Sequence, residues 1–249
     1  MTLPFVLHIG SLVIEPHLVF ELLAYFIGFR YYLFLRNRND NQINEDKNLT
    51  IIIGGVLGAA FLSKLLGYFE HPELLTLSKQ NITYILASKT IVGGLLGGLW
   101  GVEIAKKFCG VKRSTGDLFC FPVILGIMIG RIGCFLTGVS DGTWGSETSS
   151  VFGMDGGDGV LRHPAALYEI AMLGFIWLLL LALKRKLALQ EGALFKIFMI
   201  LYLLWRFCIE FIKPVYLIQP IGISAIQLAC LIGLVYYRKV ILKPRNLVR

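Results

Sequence analysis

The feature that most limits the fold of this 249-residue chain is the grouping of its apolar residues into long blocks. Each block is about 20 residues long, which is the length of helix that crosses the hydrocarbon core of a bilayer. The blocks cover residues 17–35, 50–70, 83–107, 117–137, 164–183, 192–213 and 220–240. Short charged connections separate them, and no linker divides the chain. The sequence therefore predicts an all-α polytopic membrane bundle of about seven transmembrane helices, forming a single domain over residues 1–249.

Basic residues are concentrated in alternate connections between these blocks. Fifteen of the 24 lie on one side of the predicted bundle, at positions 36, 38, 47, 106, 107, 112, 113, 184, 185, 186, 238, 239, 243, 245 and 249. The other side carries few, namely Lys79, Arg162 and Lys213. Because cytoplasmic loops carry the excess of Lys and Arg, this pattern predicts an external N-terminus and a cytoplasmic C-terminus. Anionic lipid headgroups are then the expected partner of the basic residues that give the net charge of +8, and no nucleic-acid partner is expected.

The external connection 138–163 differs from the other connections in length and composition. It contains seven glycines together with Asp141, Asp155 and Asp158. A connection of this length beside a membrane site is typical of a functional loop, so we expect a lid or a substrate clamp. The five cysteines have no CxxC spacing, and we expect neither a metal site nor a disulfide framework.

Several ionisable side chains lie within the predicted helices, where an unpaired charge costs several kcal/mol. They are Glu21, Lys64, Arg131, Glu169, Arg206, Glu210 and Lys213, and Tyr25 lies one turn beyond Glu21 on the same face. Counted from the predicted ends of their helices, these groups fall in one zone near the external side. One interpretation is structural, with Arg206 paired to Glu210 and Arg131 paired to Glu21 or Glu169. The other is a lipid-phosphate site, because arginine binds phosphate through two parallel hydrogen bonds.

The segment 162–169, Arg-His-Pro-Ala-Ala-Leu-Tyr-Glu, is a further local signal. Pro164 is suited to the first turn of a helix, which would make His163 the capping residue. His163 and Tyr168 are then expected at the water interface, where aromatic side chains are enriched.

These segments resemble the motifs of the bacterial prolipoprotein diacylglyceryl transferases. The resemblance rests on four stretches in the family's order: VGGLLG at 92–97, GRIGCF at 130–135 followed by Trp144-Gly145, RHPAALYE at 162–169, and RFCIEF at 206–211. It covers nearly the whole chain and implies a multi-pass protein of the bacterial cytoplasmic (inner) membrane. It also implies transfer of the diacylglyceryl group of phosphatidylglycerol to the lipobox cysteine of a prolipoprotein, with membrane lipids around the enzyme.

By motif position, the resemblance implies a role for each charged residue. Arg131 and Arg206 would hold the phosphate or the charge of the leaving group, and Glu210 would orient Arg206. The remaining catalytic residues would be His163 and Glu169. The substrate-binding residues would be Glu21, Tyr25, Tyr168, Asp141 and Lys213. The family's reaction requires no metal or organic cofactor.

The sequence departs from the family pattern at two positions that bear on the chemistry. Val92 occupies the place of a histidine that would accept the thiol proton, and valine cannot take a proton. Cys134 replaces the asparagine that usually follows Arg-x-Gly. Other groups are candidates for the base, namely Glu169, Glu21, Asp141 and His163. Alternative functions are a relative with another acceptor, a lipid-binding protein without catalysis, or a transporter.

Overall fold

The computed structural model of the chain describes residues 3–5, 7–9, 12–38, 43–71 and 88–248. Helices make up most of this part of the chain, as the apolar blocks predict. Lys79 and residues 83–87, the beginning of the predicted third block, lie outside the described residues.

Seven main helices follow one another along the described residues, one for each predicted block. They are α1 (Pro16–Asn37), α2 (Glu45–Phe69), α3 (Ile91–Cys109), α4 (Gly116–Thr137), α5 (Ala165–Lys186), α6 (Ala193–Ile209) and α7 (Ala225–Tyr236), with a short α8 (Arg238–Leu242) after them. Within this part of the chain, α1, α2, α4 and α5 are long and apolar enough to cross a membrane. The chain is thus a helical membrane protein.

The predicted start of the third helix, at residue 83, is wrong. Residues 88–90 are not helical, and α3 begins at Ile91. The hydroxyl of Thr90 accepts a hydrogen bond from the Gly93 amide at 3.2 Å, and the Thr90 amide donates to the Ser63 hydroxyl at 2.9 Å. A side-chain cap of this kind ends the extended chain and starts the helix. Hydropathy does not reveal such a cap, so it predicts one long helix over the whole apolar block.

The seventh helix is also shorter than its apolar block at 220–240. It begins at Ala225 because Ser224 and Gln227 form a capping box, with each side chain bonded to the other residue's backbone amide. Its regular hydrogen bonding ends at Tyr236, just before α8.

Two small β-ribbons were not expected from an all-α interpretation. In the first, β1 (Leu7–Ile9) pairs antiparallel with β2 (Leu12–Ile14). In the second, β3 (Met154–Asp155) pairs antiparallel with β4 (Leu161–Arg162) within the connection 138–163. Strands of two or three residues are too short to produce the alternation by which a strand is recognised in a sequence.

Helices α2 and α3 approach each other through glycine. A Cβ atom added at Gly97 would overlap the carbonyl oxygen of Gly58, and one added at Gly101 would overlap that of Gly54. The two backbones are therefore in direct contact, which is the small-residue packing that membrane helices favour. Gly94 lies on another face of α3, where an added Cβ meets nothing within 4 Å.

A buried apolar core joins α3 to α7 and supports the charged groups described below. Its fully buried side chains include Val92 on α3, Ile124 on α4, Leu173 on α5 and Phe198 on α6. Helix α1 packs along α4 and places Tyr31 against this core. Close contacts thus join α1 to α4 and α2 to α3.

We predict that Gly97→Ala destabilises the protein, while Gly94→Ala does not. Both changes remove the same cost of glycine in a helix, about 1 kcal/mol. Only the first forces an atom into a neighbouring backbone, and overpacking of this kind costs about 1–3 kcal/mol. Thermal unfolding of the two variants in the same detergent compares them directly. Equal melting temperatures would contradict the close α2–α3 contact.

Candidate functional site

A buried ion pair joins α4 to α5. Nε of Arg131 lies 2.8 Å from Oε2 of Glu169, and the two residues are only 7% and 2% exposed. Tyr202, on α6, donates its hydroxyl hydrogen to Oε1 of Glu169 at 2.6 Å and is fully buried. The carboxylate therefore balances a guanidinium and accepts a hydrogen bond, as a charge in an apolar interior requires. Of the two partners predicted for Arg131, the structure selects Glu169.

A second buried pair lies at the end of α6, where the chain tightens into a 3₁₀ turn over Glu210–Ile212. Nη2 of Arg206 lies 3.1 Å from Oε2 of Glu210, as predicted from their spacing of four residues. Both are buried, at 5% and 1% exposure. Glu169 interacts electrostatically with Arg206 as well as with Arg131, so the two pairs form one cluster. Lys213 interacts with Arg206 and Glu210 from the following turn.

The thiol of Cys134 connects this cluster to a histidine that the sequence analysis did not select. Nη1 of Arg131 lies 3.7 Å from the Cys134 sulfur, and Nδ1 of His17 lies 3.8 Å from the same atom. The same Nδ1 is hydrogen-bonded to Oδ1 of Asp141 at 2.5 Å. The other carboxylate oxygen of Asp141 accepts a hydrogen bond from Thr143 at 2.7 Å, which fixes its orientation.

His17 reaches this position because α1 begins directly against the end of α4. An added Cβ at Gly133 would lie 2.7 Å from the Phe20 Cβ and 3.2 Å from the His17 Cα, so only glycine permits the approach. The backbone amide of His17 donates to the Thr137 hydroxyl at 3.2 Å. A 3₁₀ turn, Gly138–Asp141, then carries the aspartate back over the same histidine. Gly133 and Thr137 thus place His17 within reach of Asp141.

Glu21 and Tyr25 form a separate group beside His17. The Tyr25 hydroxyl donates to Glu21 at 3.0 Å, which agrees with their predicted common face. Nζ of Lys89 lies 2.5 Å from the same carboxylate, and Nε2 of His17 lies 3.8 Å from its other oxygen. Tyr25 is 65% exposed on the side of the bundle. Glu21 is therefore neutralised by Lys89 and not by Arg131.

His163 and Tyr168 meet at the start of α5, where Nδ1 of His163 lies 3.2 Å from the Tyr168 hydroxyl. The expected cap is wrong by one residue, because α5 begins at Ala165 and Pro164 takes the capping position. The amide of Gly145 donates to the His163 carbonyl at 2.8 Å, and an added Cβ there would clash with His163. The connection 138–163 therefore packs against His163, and its role as a lid stays a prediction.

An apolar cavity of about 510 Å³ lies between α2, α3 and α7. Its lining includes Leu66 and Phe69 on α2, Leu96 on α3 and Leu228 on α7. Glu70, the residue after Phe69, interacts electrostatically with Glu210, Lys213 and Arg206. The cavity thus extends from the neighbourhood of the charged cluster along an apolar wall.

The structure brings together most of the predicted site residues, in two adjoining groups. Arg131, Glu169, Arg206 and Glu210 form the buried cluster, with the half-buried Lys213 beside it. Asp141 and Glu21 lie against His17, and Tyr25 is bonded to Glu21. Three further residues of these groups, His17, Tyr202 and Lys89, were not predicted from the sequence. A signal for His17 was available, because it precedes Glu21 by four residues and follows the first proline of α1.

A metal ion was not expected, but three ligand types converge at His17. One ligand atom from each of His17, Cys134 and Asp141 lies within 4.8 Å of the other two. Imidazole, thiolate and carboxylate are all zinc ligands. The short His17–Asp141 hydrogen bond accounts for the same closeness without an ion.

Comparison with known proteins gives one consistent match. A sequence profile of the prolipoprotein diacylglyceryl transferase family matches residues 4–242. Three similar relatives carry the name phosphatidylglycerol–prolipoprotein diacylglyceryl transferase. The protein of Paramagnetospirillum magneticum is 28% identical over 84% of this chain and 80% of its own length. That of Dehalococcoides mccartyi is 29% identical over 84% and 82%. That of Wolbachia pipientis is 30% identical over 77% and 76%.

We predict that Glu169→Gln lowers the free energy of unfolding by about 3–5 kcal/mol, because it leaves Arg131 buried without a counter-ion. The matched control is Glu191→Gln, which removes the carboxylate of an exposed pair whose Arg113–Glu191 separation is 3.1 Å. Exposed pairs contribute about 0–1 kcal/mol, so the control should stay close to wild type. Denaturant unfolding in detergent measures both. A loss below 1 kcal/mol for Glu169→Gln would show that the buried pair does not support the fold.

Proposed function

Because the chain belongs to the prolipoprotein diacylglyceryl transferase family, we propose that the cluster of Arg131, Glu169, Arg206 and Glu210 is its active centre. The enzyme transfers the diacylglyceryl group of phosphatidylglycerol to prolipoproteins during lipoprotein maturation. The acceptor in this proposal is the cysteine thiol of the lipobox segment. The observation that carries the assignment is that two buried arginines, Arg131 and Arg206, both interact with the buried carboxylate of Glu169.

The reaction places its greatest electrostatic demand on the leaving group. A cysteine sulfur bonds to the glyceryl carbon, the carbon–oxygen bond breaks, and negative charge develops on the departing glycerol phosphate. Fixed cations in a site without water stabilise such charge most effectively. Arg131 and Arg206 are suited to this role because guanidinium groups cannot lose their charge and bind phosphate oxygens in pairs.

Each arginine retains donors for a phosphate although it is already paired with a carboxylate. A guanidinium has five N–H donors. In the described part of the chain, Nη1 of Arg131 is hydrogen-bonded only to the Cys134 sulfur, which is a weak acceptor. Glu169 and Glu210 hold the arginines in place, and a phosphate would replace the weak contact with a strong one. Lys213 is proposed to add a third positive charge beside Arg206.

The apolar cavity supports a two-tailed lipid as the substrate. Its lining residues come from three helices and from the connection before α7, and Phe69 in this lining is followed by Glu70, which interacts with Arg206 and Lys213. A lipid with its headgroup at the arginines would therefore find an apolar surface for an acyl chain directly beside them. Burial of each methylene group contributes about 0.8 kcal/mol, so this wall would hold the donor firmly.

The remaining predicted residues are proposed to form the rim that receives the prolipoprotein. His163 and Tyr168 lie where the connection 138–163 packs on the start of α5. Glu21, Tyr25 and Asp141 belong to the second group, around the start of α1. An acceptor peptide between these two groups would bring its cysteine toward Arg131.

We also propose seven membrane spans, with the N-terminus outside and the C-terminus in the cytoplasm of a bacterial inner membrane. The basic connections at 106–113 and 184–186 support this orientation. The active centre then lies toward the external side, where α4 ends and α5 begins.

Reporter fusions test the orientation. Alkaline phosphatase fused after Gly156 should be active, and fusions after Asn44 and Arg185 should be inactive, because the enzyme folds only outside the cytoplasm. Green fluorescent protein at the same three positions is the reciprocal control and should give the opposite pattern. Phosphatase activity at Arg185 without activity at Gly156 would reverse the orientation and contradict the proposed external site.

We predict that Arg131→Lys and Arg206→Lys each lower phosphatidylglycerol turnover by about a hundred- to a thousandfold. Lysine keeps the positive charge but loses the paired hydrogen bonds, and loss of one donor to a transition-state charge costs about 3–4 kcal/mol. Arg113→Lys, in the exposed pair with Glu191, is the matched control and should retain wild-type turnover. Purified proteins are assayed with phosphatidylglycerol in detergent, and thermal unfolding is measured on the same samples. Normal turnover in both site variants would refute the phosphate role.

A further inference from the structure

We propose that His17, Cys134 and Asp141 bind one zinc ion, which keeps a coordination position open for the thiolate of the acceptor cysteine. The zinc site itself is independent of the activity proposed above, whereas the use of its open position rests on that activity. No metal site is expected from the sequence, so the site follows from the folded arrangement alone.

Three ligands of the types that zinc prefers lie together at the start of α1. One ligand atom from each of His17, Cys134 and Asp141 lies within 4.8 Å of the other two. The three residues come from separate segments, namely α1, α4 and the 3₁₀ turn Gly138–Asp141. Imidazole, thiolate and carboxylate groups are all protein ligands of zinc. The fold thus assembles a complete set of ligand types at one point.

Both partners of His17 face the same ring nitrogen. Nδ1 lies 2.5 Å from Oδ1 of Asp141 and 3.8 Å from the sulfur of Cys134. A ring nitrogen has one proton or one lone pair, so a hydrogen bond accounts for the carboxylate and leaves the sulfur unexplained. A catalytic triad does not fit either, because in a triad the carboxylate and the nucleophile contact opposite ring nitrogens. Convergence on one nitrogen is instead the arrangement of ligands around a shared ion.

The spacing of the ligand atoms is close to that of a zinc site. Zinc binds nitrogen and oxygen at about 2.0–2.2 Å and sulfur at about 2.3 Å, so a tetrahedral site separates its ligand atoms by about 3.4–3.6 Å. The distance of 3.8 Å between His17 and Cys134 needs little change. The Asp141 oxygen would retreat from Nδ1 by about 1 Å, which a rotation of its side chain supplies.

Two of the ligands have outer contacts of the kind that orient metal ligands. Metal-binding histidines direct their second ring nitrogen to a carboxylate or another acceptor. Nε2 of His17 lies 3.8 Å from Oε2 of Glu21, on the same face of α1. The second carboxylate oxygen of Asp141 accepts a hydrogen bond from the Thr143 hydroxyl at 2.7 Å. The imidazole and the carboxylate are therefore already held for a common ligand.

The charges around the three ligands favour a divalent cation. The two nearby cations, Arg131 and Lys89, each face a carboxylate of their own. Among the ion pairs of the described residues, Asp141 contacts only His17. The Asp141 carboxylate and a thiolate on Cys134 thus supply two negative charges, which match the charge of a zinc ion.

The site has three ligands in the part of the chain that the structure describes, and one side of it is accessible. Three protein ligands with one exchangeable position are typical of a catalytic zinc site, whereas structural sites have four. Cys134 and the Asp141 side chain are only 6% and 5% exposed. The His17 side chain is 41% exposed. An incoming thiol can therefore reach the ion from the side of His17.

Zinc at this point would supply the activation that Val92 cannot provide. The acceptor thiol releases its proton to water as its sulfur binds the ion, which leaves a thiolate as the nucleophile. The sulfur electron pair then forms a bond to the glyceryl carbon, and the carbon–oxygen bond breaks. Its electron pair leaves with the glycerol phosphate beside Arg131, whose Nη1 lies 3.7 Å from the Cys134 sulfur. Water displaces the neutral thioether from the ion, because a thioether is a weaker ligand than a thiolate.

The first measurement is zinc binding by the purified 249-residue chain, stripped with a chelator and titrated with Zn²⁺ in detergent. Wild type should bind one equivalent, and His17→Gln, Cys134→Asn and Asp141→Asn should each lose this binding. Thr143→Val removes an outer contact and should weaken zinc binding by about 10–100-fold. Cys109→Asn, at the end of α3, is the matched control and should bind zinc as wild type does. Cys134→Asn introduces the residue that the family carries at this position, which favours a folded variant.

The second measurement tests the open position without turnover. Co²⁺ takes the place of zinc in tetrahedral sites, and each cobalt–thiolate bond adds charge-transfer absorption in the near ultraviolet. The Co²⁺ form of wild type should show this absorption, and a synthetic lipobox peptide should increase it. The same peptide with serine in place of cysteine should leave the spectrum unchanged. If the ligand variants fail to fold, as judged by thermal unfolding, the cobalt spectrum of wild type decides the question.

The outcomes separate the zinc site from the proposed function. Zinc bound equally by wild type and all three ligand variants, or by none of them, would overturn the site, as would a Co²⁺ form without thiolate absorption. A cobalt spectrum that does not respond to the cysteine peptide would overturn the open position. Turnover of phosphatidylglycerol that is unchanged in a zinc-free Cys134→Asn would overturn the use of zinc in the reaction. A wild type that binds zinc and the peptide but does not modify the peptide would support the site and overturn the transferase activity.

Discussion

The buried pair of Arg131 and Glu169 is the interaction on which the arrangement of the bundle depends. Arginine cannot discharge itself by losing a proton, so a guanidinium placed among apolar helices must find an anion at a fixed position. Glu169 supplies this anion from α5, and Tyr202 donates a hydrogen bond to the same carboxylate from α6. The Glu169 carboxylate thereby fixes the positions of α4, α5 and α6 relative to one another. The second pair, Arg206 with Glu210, lies within one segment and places no such demand on its neighbours.

Glycine contacts hold α2 against α3 and α1 against α4, by a different physical route. Association between apolar helices in lipid gains little from the hydrophobic effect, so close packing of small residues has to hold them together. The contact of Gly58 with Gly97 does this for α2 and α3. Gly133 does it for α1 and α4, and there the same contact also delivers His17 to the thiol of Cys134. Close helix packing at Gly133 thus determines which side chains lie beside Cys134.

Hydropathy and charge predicted the helices and the buried cluster, because both follow from the cost of placing polar groups in lipid. The i,i+4 pair Arg206–Glu210 follows from helix geometry alone. Sequence could not choose between Glu21 and Glu169 for Arg131, since the choice depends on which helix lies beside α4. Sequence also did not predict the non-helical residues before Ile91 or the contact of His17 with Asp141. Both depend on contacts between segments far apart in the chain, namely Thr90 with Ser63 and His17 with Asp141.

The location of the central ion pair on two successive helices has a consequence for synthesis. Arg131 leaves the ribosome 38 residues before Glu169, its counter-ion across α4 and α5. At about 5–20 residues per second, this interval lasts about 2 to 8 s. During that time, the nascent α4 carries an arginine whose partner has not yet been made. The insertion machinery must therefore shelter α4 or keep it at the lipid interface until α5 arrives, so the two helices enter the bilayer as a unit.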